Sequence, residues 1–197
     1  MIARNSIAWG ILACFSWLAA STVGASASVV IASAEDPKPC VRTAPEARDP
    51  DAVRAAFIYN FARFTTWPPD LPATDSFVIC VLGDTAVGDA LERAVAGRQL
   101  MDRPITITRV NPATPKRTCR ILYVSGVPVR EAAAVVAELR ETPVLTISNV
   151  EGFASAGGMT QFFFEHGQLR FRIHLESAKR AGLQISSRLL VMARPND

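Results

Sequence analysis

Phe77-Val78-Ile79-Cys80-Val81-Leu82, followed by Gly83-Asp84, is the stretch that decides the fold. A continuous apolar run closed by a turn signal is the pattern of a strand buried on both faces, as in a parallel sheet covered by helices. A helix over about Ala86–Ala96 is predicted next, with Val87, Leu91 and Val95 on one face. Beyond it the pattern gives an alternating strand over Ile105–Val110, a buried strand over Ile121–Val124, an Ala-rich helix over Glu131–Arg140 and a strand over Val144–Ile147. Upstream, Asp49 or Asp51 caps a helix with Pro50 near its first turn. Its apolar residues recur at Val53, Phe57, Phe61 and Phe64 until Trp67-Pro68-Pro69 breaks the hydrogen-bond ladder. This order predicts the α/β class: a layered sandwich with a mixed, largely parallel central sheet and helices on both faces.

The last quarter changes style. Gly152–Gly158 is a small-residue segment with room for a short helix, and Thr160–Glu165 reads as a strand with three consecutive phenylalanines. His166-Gly167 makes a hairpin turn into a second arm over Leu169–Leu175. Ser177–Ala181 forms a short helix ended by Gly182, which suits a left-handed cap. Ile185–Met192 is apolar, and its pattern does not choose between strand and helix.

The chain begins with Arg4 ahead of an apolar run over Ile7–Ala20 and a small-residue site, Ala32-Ser33-Ala34. That is the pattern of an export signal over residues 1–34, cleaved after Ala34, with Ala25-Ser26-Ala27 as a second site. The competing reading is an uncleaved anchor over Ile7–Ala34; the Ala, Ser, Gly and Val of its later half transfer poorly into lipid and favour cleavage. A polar, Pro-rich leader over residues 35–50 then precedes a single domain over 51–194. With 21 Lys and Arg against 18 Asp and Glu, the net charge is only +3 and the basic residues are dispersed. A nucleic-acid binder would concentrate them on one face, so no nucleic-acid partner is expected.

Cys80 closes one buried strand and Cys119 immediately precedes another. Neighbouring strands hold Cα atoms within disulfide reach, and an oxidising compartment favours the Cys80–Cys119 bridge. Cys40 is left as a free thiol or a link between two chains. With no CxxC pair and two histidines, neither a metal site nor a cofactor is expected.

Few residues promise chemistry. Gly83-Asp84-Thr85-Ala86-Val87-Gly88 sits where a phosphate loop would, yet lacks the spacing that brings backbone amides around phosphate, so an ordinary strand-to-helix turn is the simpler reading. Ser125 and Ser186-Ser187 lack a nucleophile elbow, and nothing sets Glu165 and Glu176 around one substrate. The second hairpin arm is more informative. Alternation sends Phe171, Ile173 and Leu175 to one face and Arg170, Arg172 and His174 to the other. Three cations on one surface make either a solvated outer face or a site for an anionic or aromatic ligand. Phe162, Phe163 and Phe164 cannot all enter one core, so at least one turns to the second sheet face, to a dimer contact or to a recognition patch. The stripe of Phe57, Phe61, Phe64 and Trp67 reads as core, or in part as a groove for a partner.

Taken in order, four blocks resemble the YfiR-like periplasmic proteins. They are Ala55-Ala56-Phe57-Ile58-Tyr59-Asn60-Phe61-Ala62-Arg63-Phe64 with Trp67-Pro68; Cys80-Val81-Leu82-Gly83-Asp84; Leu145-Thr146-Ile147-Ser148 with Gly152-Phe153 and Gly157-Gly158-Met159; and Ala178–Leu190, including Arg180-Ala181-Gly182-Leu183. The resemblance implies an exported α/β sandwich, commonly dimeric, without known catalytic activity. It further implies repression of an inner-membrane diguanylate cyclase, a GGDEF protein, through that enzyme's periplasmic region, with an outer-membrane lipoprotein withdrawing the repressor. Cyclic-di-GMP output and biofilm formation would thereby follow the state of the envelope or its redox state. Cys80 and Cys119 match a disulfide pair of that family, whereas its later pair has no counterpart here, since no cysteine follows Cys119. The alternative is a periplasmic ligand-sensing module acting on a different membrane partner.

Overall fold

The computed structural model describes residues 49–195 apart from Ala73 and Pro115. The export segment, its cleavage site, nearly all of the leader and Cys40 lie outside the described residues.

Helix α1 (Pro50–Arg63) begins where the Asp49 carboxylate accepts the Asp51 N–H at 3.0 Å, leaving Pro50 in the first turn, where its missing N–H costs nothing. Strand β1 (Thr65–Thr66) leads through the Trp67-Pro68-Pro69 segment to β2 (Phe77–Leu82), the quoted apolar run. The order continues as α2 (Thr85–Val95), β3 (Gln99–Leu100), β4 (Arg103–Val110), β5 (Ile121–Val124), α3 (Val129–Glu138), β6 (Leu145–Ser148), β7 (Thr160–Glu165), β8 (Gln168–Ile173), α4 (Leu175–Arg180), β9 (Gln184–Ile185) and α5 (Ser187–Met192).

Seven strands form one sheet in the order β3-β4-β2-β5-β6-β7-β8, parallel from β4 to β7 with antiparallel edges at β3 and β8. In the centre Ile79 lies opposite Ile107 on one side and Ile121 on the other, and Ile121 opposite Leu145. From β2 the chain crosses through α2 to β4 in one direction; from β5 it crosses through α3 to β6 in the other. Right-handed crossovers running in opposite directions put their helices on opposite faces, which is why both faces are covered.

The two faces have separate cores. Phe77, Ile79, Val81, Ile121, Tyr123, Leu145 and Ile147 pack with α1, α2, α4 and α5 through Ile58, Phe61, Leu91, Ala178 and Leu189. Alternate residues Cys80, Leu82, Leu122 and Val124 pack on the other side against Ala132, Val135 and Val136 of α3, its C-cap Leu139, and Phe153. Cys80 and Cys119 are disulfide-bonded in this second core, with Cα atoms 5.8 Å apart and both residues 1% exposed.

Several boundaries shift from expectation, those of β4 and α3 by two residues among them, and three shift for plain local reasons. Asp84 caps α2 through the Ala86 N–H at 2.9 Å, so the helix starts at Thr85. The second hairpin arm ends at Ile173, because His174 becomes the N-cap of α4 and Leu175 opens that helix. The apolar Ile185–Met192 segment divides: Gln184-Ile185 pairs antiparallel with Thr65-Thr66, and Ser186 caps α5. Strand β3 and the hairpin turn at Met101-Asp102, both at positive φ without glycine, had no sequence signal.

Candidate functional site

The β7–β8 hairpin closes at His166-Gly167, whose φ values of 50° and 74° match a turn with two left-handed residues, and Glu165 faces Gln168 across it. Strict alternation then separates the two faces. Phe162 and Phe171, opposite one another, enter the α1-side core, where Phe162 is 1% exposed and stacks edge-on with Phe57 at 6.1 Å. Phe164 points to that same side beyond the end of the core and is 43% exposed, with the Arg54 guanidinium 5.1 Å from its ring centre. Phe163 occupies the outer face, half-buried, with the Arg172 guanidinium 4.5 Å from its ring centre. Of the three rings, Phe162 therefore has no surface to offer, and Phe163 and Phe164 are presented under guanidinium groups from different elements.

Arg170 and Arg172 lie on the outer face of β8, as alternation predicts, and His174 follows just beyond the strand's end, but the three have different partners. Arg170 donates to Gln168 Oε1 at 2.6 Å and lies 3.7 Å from Glu165, near the turn. His174 leaves the strand to cap α4, its Nδ1 accepting the Ser177 N–H at 3.2 Å, while its own N–H donates to the Met159 carbonyl. Arg172 donates from Nε to the Pro195 carbonyl at 3.2 Å, and Arg194 donates its N–H to the Phe171 carbonyl, so the residues after α5 run alongside β8. Arg194 also pairs with Glu165, and this bond holds the Glu165 carboxyl below the usual carboxylate range.

What the structure does assemble is a cleft where β7 runs on past the carboxyl end of β6. A cavity of about 420 Å³ is lined by Arg54, Asn149, Glu151, Phe163, Phe164 and Arg172, among others. A second, of about 520 Å³, shares Glu151, Gln161 and Arg172 with the first and adds Ser155 and His174. Arg172 and His174 thus meet at the second cavity, while Arg170 lines neither. Gln161 holds one wall by accepting the Ala154 N–H at 3.0 Å. Arg54 is tied by Asp51 through Nη1, and its buried Nε has no hydrogen-bond partner. Two guanidiniums over two aromatic rings suit a planar or anionic group, whether a ligand or a side chain of another protein. Arg54, Asn149 and Glu151 come from α1 and the β6–β7 loop, far from the hairpin in sequence, so no local pattern marked them.

The other polar residues that the sequence raised for chemistry, Ser125, Ser186 and Glu176, line neither cavity and are engaged locally. Ser125 Oγ accepts the Asp84 N–H at 3.3 Å, Ser186 caps α5 and Glu176 pairs with Lys179 at 2.9 Å. The Gly83-Asp84 loop is an ordinary strand-to-helix turn. Gly83 has φ 97°, and a Cβ there would lie 1.7 Å from the Ser125 carbonyl oxygen, so close backbone packing fixes the glycine. Among the described residues no three His, Cys, Asp or Glu side chains gather to hold a metal ion, and no helix is long and apolar enough to cross a membrane.

Compared with protein families, residues 51–194 match the model of the family described as YfiR/HmsC-like. The match begins in the first turn of α1 and ends after α5, so it takes in both cores, the disulfide and the cleft.

Proposed function

The chain belongs to the YfiR/HmsC-like family, and we propose that it is a periplasmic regulatory protein without catalytic activity of its own. In this reading it represses an inner-membrane diguanylate cyclase by binding that enzyme's periplasmic sensor region. Cyclic-di-GMP output and biofilm formation would be tuned in this way, and an outer-membrane lipoprotein would withdraw the repressor. The observation that carries the reading is the family match over the whole folded region. A repressor acting across a membrane needs only differential affinity for two states of its target; a complete switch of a two-state sensor takes about 5.5 kcal/mol. Phe163 and Phe164, each beneath a guanidinium, supply the kind of aromatic and arginine surface that dominates such contacts. A contact between two copies on the same surface is the corresponding homodimer.

The test is cellular. Deleting the gene raises cyclic-di-GMP, the full-length gene restores it, and a Phe164→Glu allele that is exported at normal levels fails to restore it. Unchanged cyclic-di-GMP on deletion overturns the repressor reading. The cleft between Arg54 and Arg172 favours a second reading, in which the protein senses a small anionic or aromatic ligand and acts on another membrane partner. In that case Arg172→Ala combined with His174→Ala abolishes the thermal shift produced by a ligand found in a screen, and the deletion leaves cyclic-di-GMP unchanged.

A further inference from the structure

At the opposite end of the sheet, beside the amino ends of β2 and β5, Trp67-Pro68-Pro69 and the segment that follows close over a cavity of about 230 Å³. Its apolar wall is made by Trp67, Leu71, Phe77 and Met101, and its polar wall by Arg103 and Arg120, with Thr74 and Ser76 between. Trp67 and Phe77 meet edge-on at 5.2 Å, which fixes the apolar wall. Among the described residues no carboxylate lines the cavity and neither arginine pairs with one. Asp70 and Asp75, on the covering segment, are exposed.

The polar groups here are donors in excess. Arg120 is 9% exposed and donates from Nη2 to the Pro72 carbonyl at 2.8 Å; of the five N–H groups of a guanidinium, that is the one bonded to described residues. Arg103 donates from Nη1 to Thr74 Oγ1 at 3.3 Å, while the Thr74 hydroxyl itself donates to the Ser76 carbonyl. The Trp67 indole N–H is buried with no acceptor. Burial, with the Arg103 charge as a smaller cause, pushes the Arg120 guanidinium below its usual range. A buried cation beside a like charge, with no counter-ion, is costly, and an anion entering between them would offset that cost.

We propose that the cavity bounded by Trp67, Leu71, Phe77, Met101, Arg103 and Arg120 binds a small carboxylate with an apolar body. The carboxylate meets the arginine forks, which match its planar geometry, and the apolar body lies against Trp67, Leu71 and Phe77. This site is separate from the hairpin cleft and does not rest on the regulatory reading.

The full chain contains three tryptophans, Trp9, Trp17 and Trp67, so replacing Trp9 and Trp17 by Phe leaves the cavity's own indole as sole tryptophan reporter. Benzoate is the probe, with benzamide as its uncharged counterpart and inorganic phosphate as an anion lacking an apolar body. Benzoate is expected to change Trp67 fluorescence saturably at concentrations up to about 10 mM, which covers the millimolar range of a small fragment. Benzamide and phosphate are expected to leave it unchanged. Arg103→Gln, at a half-buried position, is expected to weaken benzoate binding about tenfold or more while far-UV circular dichroism stays unchanged. Arg120→Lys, which keeps the buried charge but loses the fork, is expected to weaken it similarly. Absence of a saturable benzoate response, an equal response to benzamide or phosphate, or undiminished binding by Arg103→Gln overturns the proposal.

Discussion

Replacing Lys116 by Met tests the most deeply buried cation described here. Lys116 is 1% exposed, and its Nζ donates to the Pro112 carbonyl at 2.7 Å, the Thr114 carbonyl at 3.0 Å and Glu138 Oε2 at 3.1 Å. Three N–H donors meet three acceptors, so the ammonium is fully satisfied. Those bonds fold the connection between β4 and β5 and tether it to the end of α3. Methionine keeps the apolar stem and volume but leaves two carbonyls of a tight loop unpaired. Bonds to a charged group contribute about 1.5 to 3 kcal/mol each, and the Glu138 side chain, 42% exposed, is screened by water. The two carbonyls therefore dominate, and Lys116→Met should cost about 3 kcal/mol, against about 0.5 to 1 for Glu138→Gln. Urea unfolding at neutral pH reads both, provided the slope m is unchanged so that midpoints report stability. A loss below about 1 kcal/mol for Lys116→Met, or equal losses for the two variants, refutes the claim that backbone carbonyls are the ammonium's main partners.

Further outcomes follow from other parts of the fold. Reducing the Cys80–Cys119 bridge, which spans 39 positions, should cost about 4 kcal/mol on the chain-entropy account. Urea midpoints with and without reductant measure this, and a negligible shift refutes it. Gly83→Ala should destabilise by at least about 3 kcal/mol, since a Cβ 1.7 Å from a carbonyl oxygen forces the β2 turn apart; near-wild-type melting would contradict this. Arg194 depresses the Glu165 carboxyl, so the stability of that pair is present above the ordinary carboxylate pKa of about 4 and is lost as pH falls through the lower folded value. Glu165→Gln should accordingly lower the melting temperature slightly at neutral pH and leave it unchanged at the acid end, which flattens the acid limb of the profile; the effect is small because the pair is exposed.

The sheet and the first helix were legible because their signals are local. Phe77–Leu82 and Ile121–Val124 are unbroken apolar runs, and Asp49 and Pro50 write out a capped helix start, while the Val53-Phe57-Phe61 spacing marks only part of the face that α1 buries, which also takes in Ala55, Ile58 and Ala62. The bridge was legible for the same reason, as each cysteine borders a buried strand. The hairpin arm was read one step too far, since the alternation of Ile173 and Leu175 continues across a boundary set by the His174 cap. Strands of two residues, such as β1, β3 and β9, are too short to carry a period. The cleft escaped because Arg54 and Glu151 reach Arg172 only once the sheet is assembled. Nothing in the neighbours of Lys116 and Arg120 announces that loops will bury them.

The layout of the sheet also governs the order in which it can assemble. Its central pairs join residues distant along the chain, Ile79 with Ile121 and Phe77 with Ile105, whereas β7 and β8 meet across a two-residue turn. Loop-closure entropy delays the former and favours the latter, so among the strand pairs the two hairpins, β3–β4 and β7–β8, are able to form earliest. The β7–β8 hairpin then carries three adjacent phenylalanines before α1 has docked over Phe162, a moment of exposure when chains can stick to one another. Glu165, Arg170 and Arg172 flank those rings in the same hairpin, and their charges guard the newly made chain against clumping during that interval.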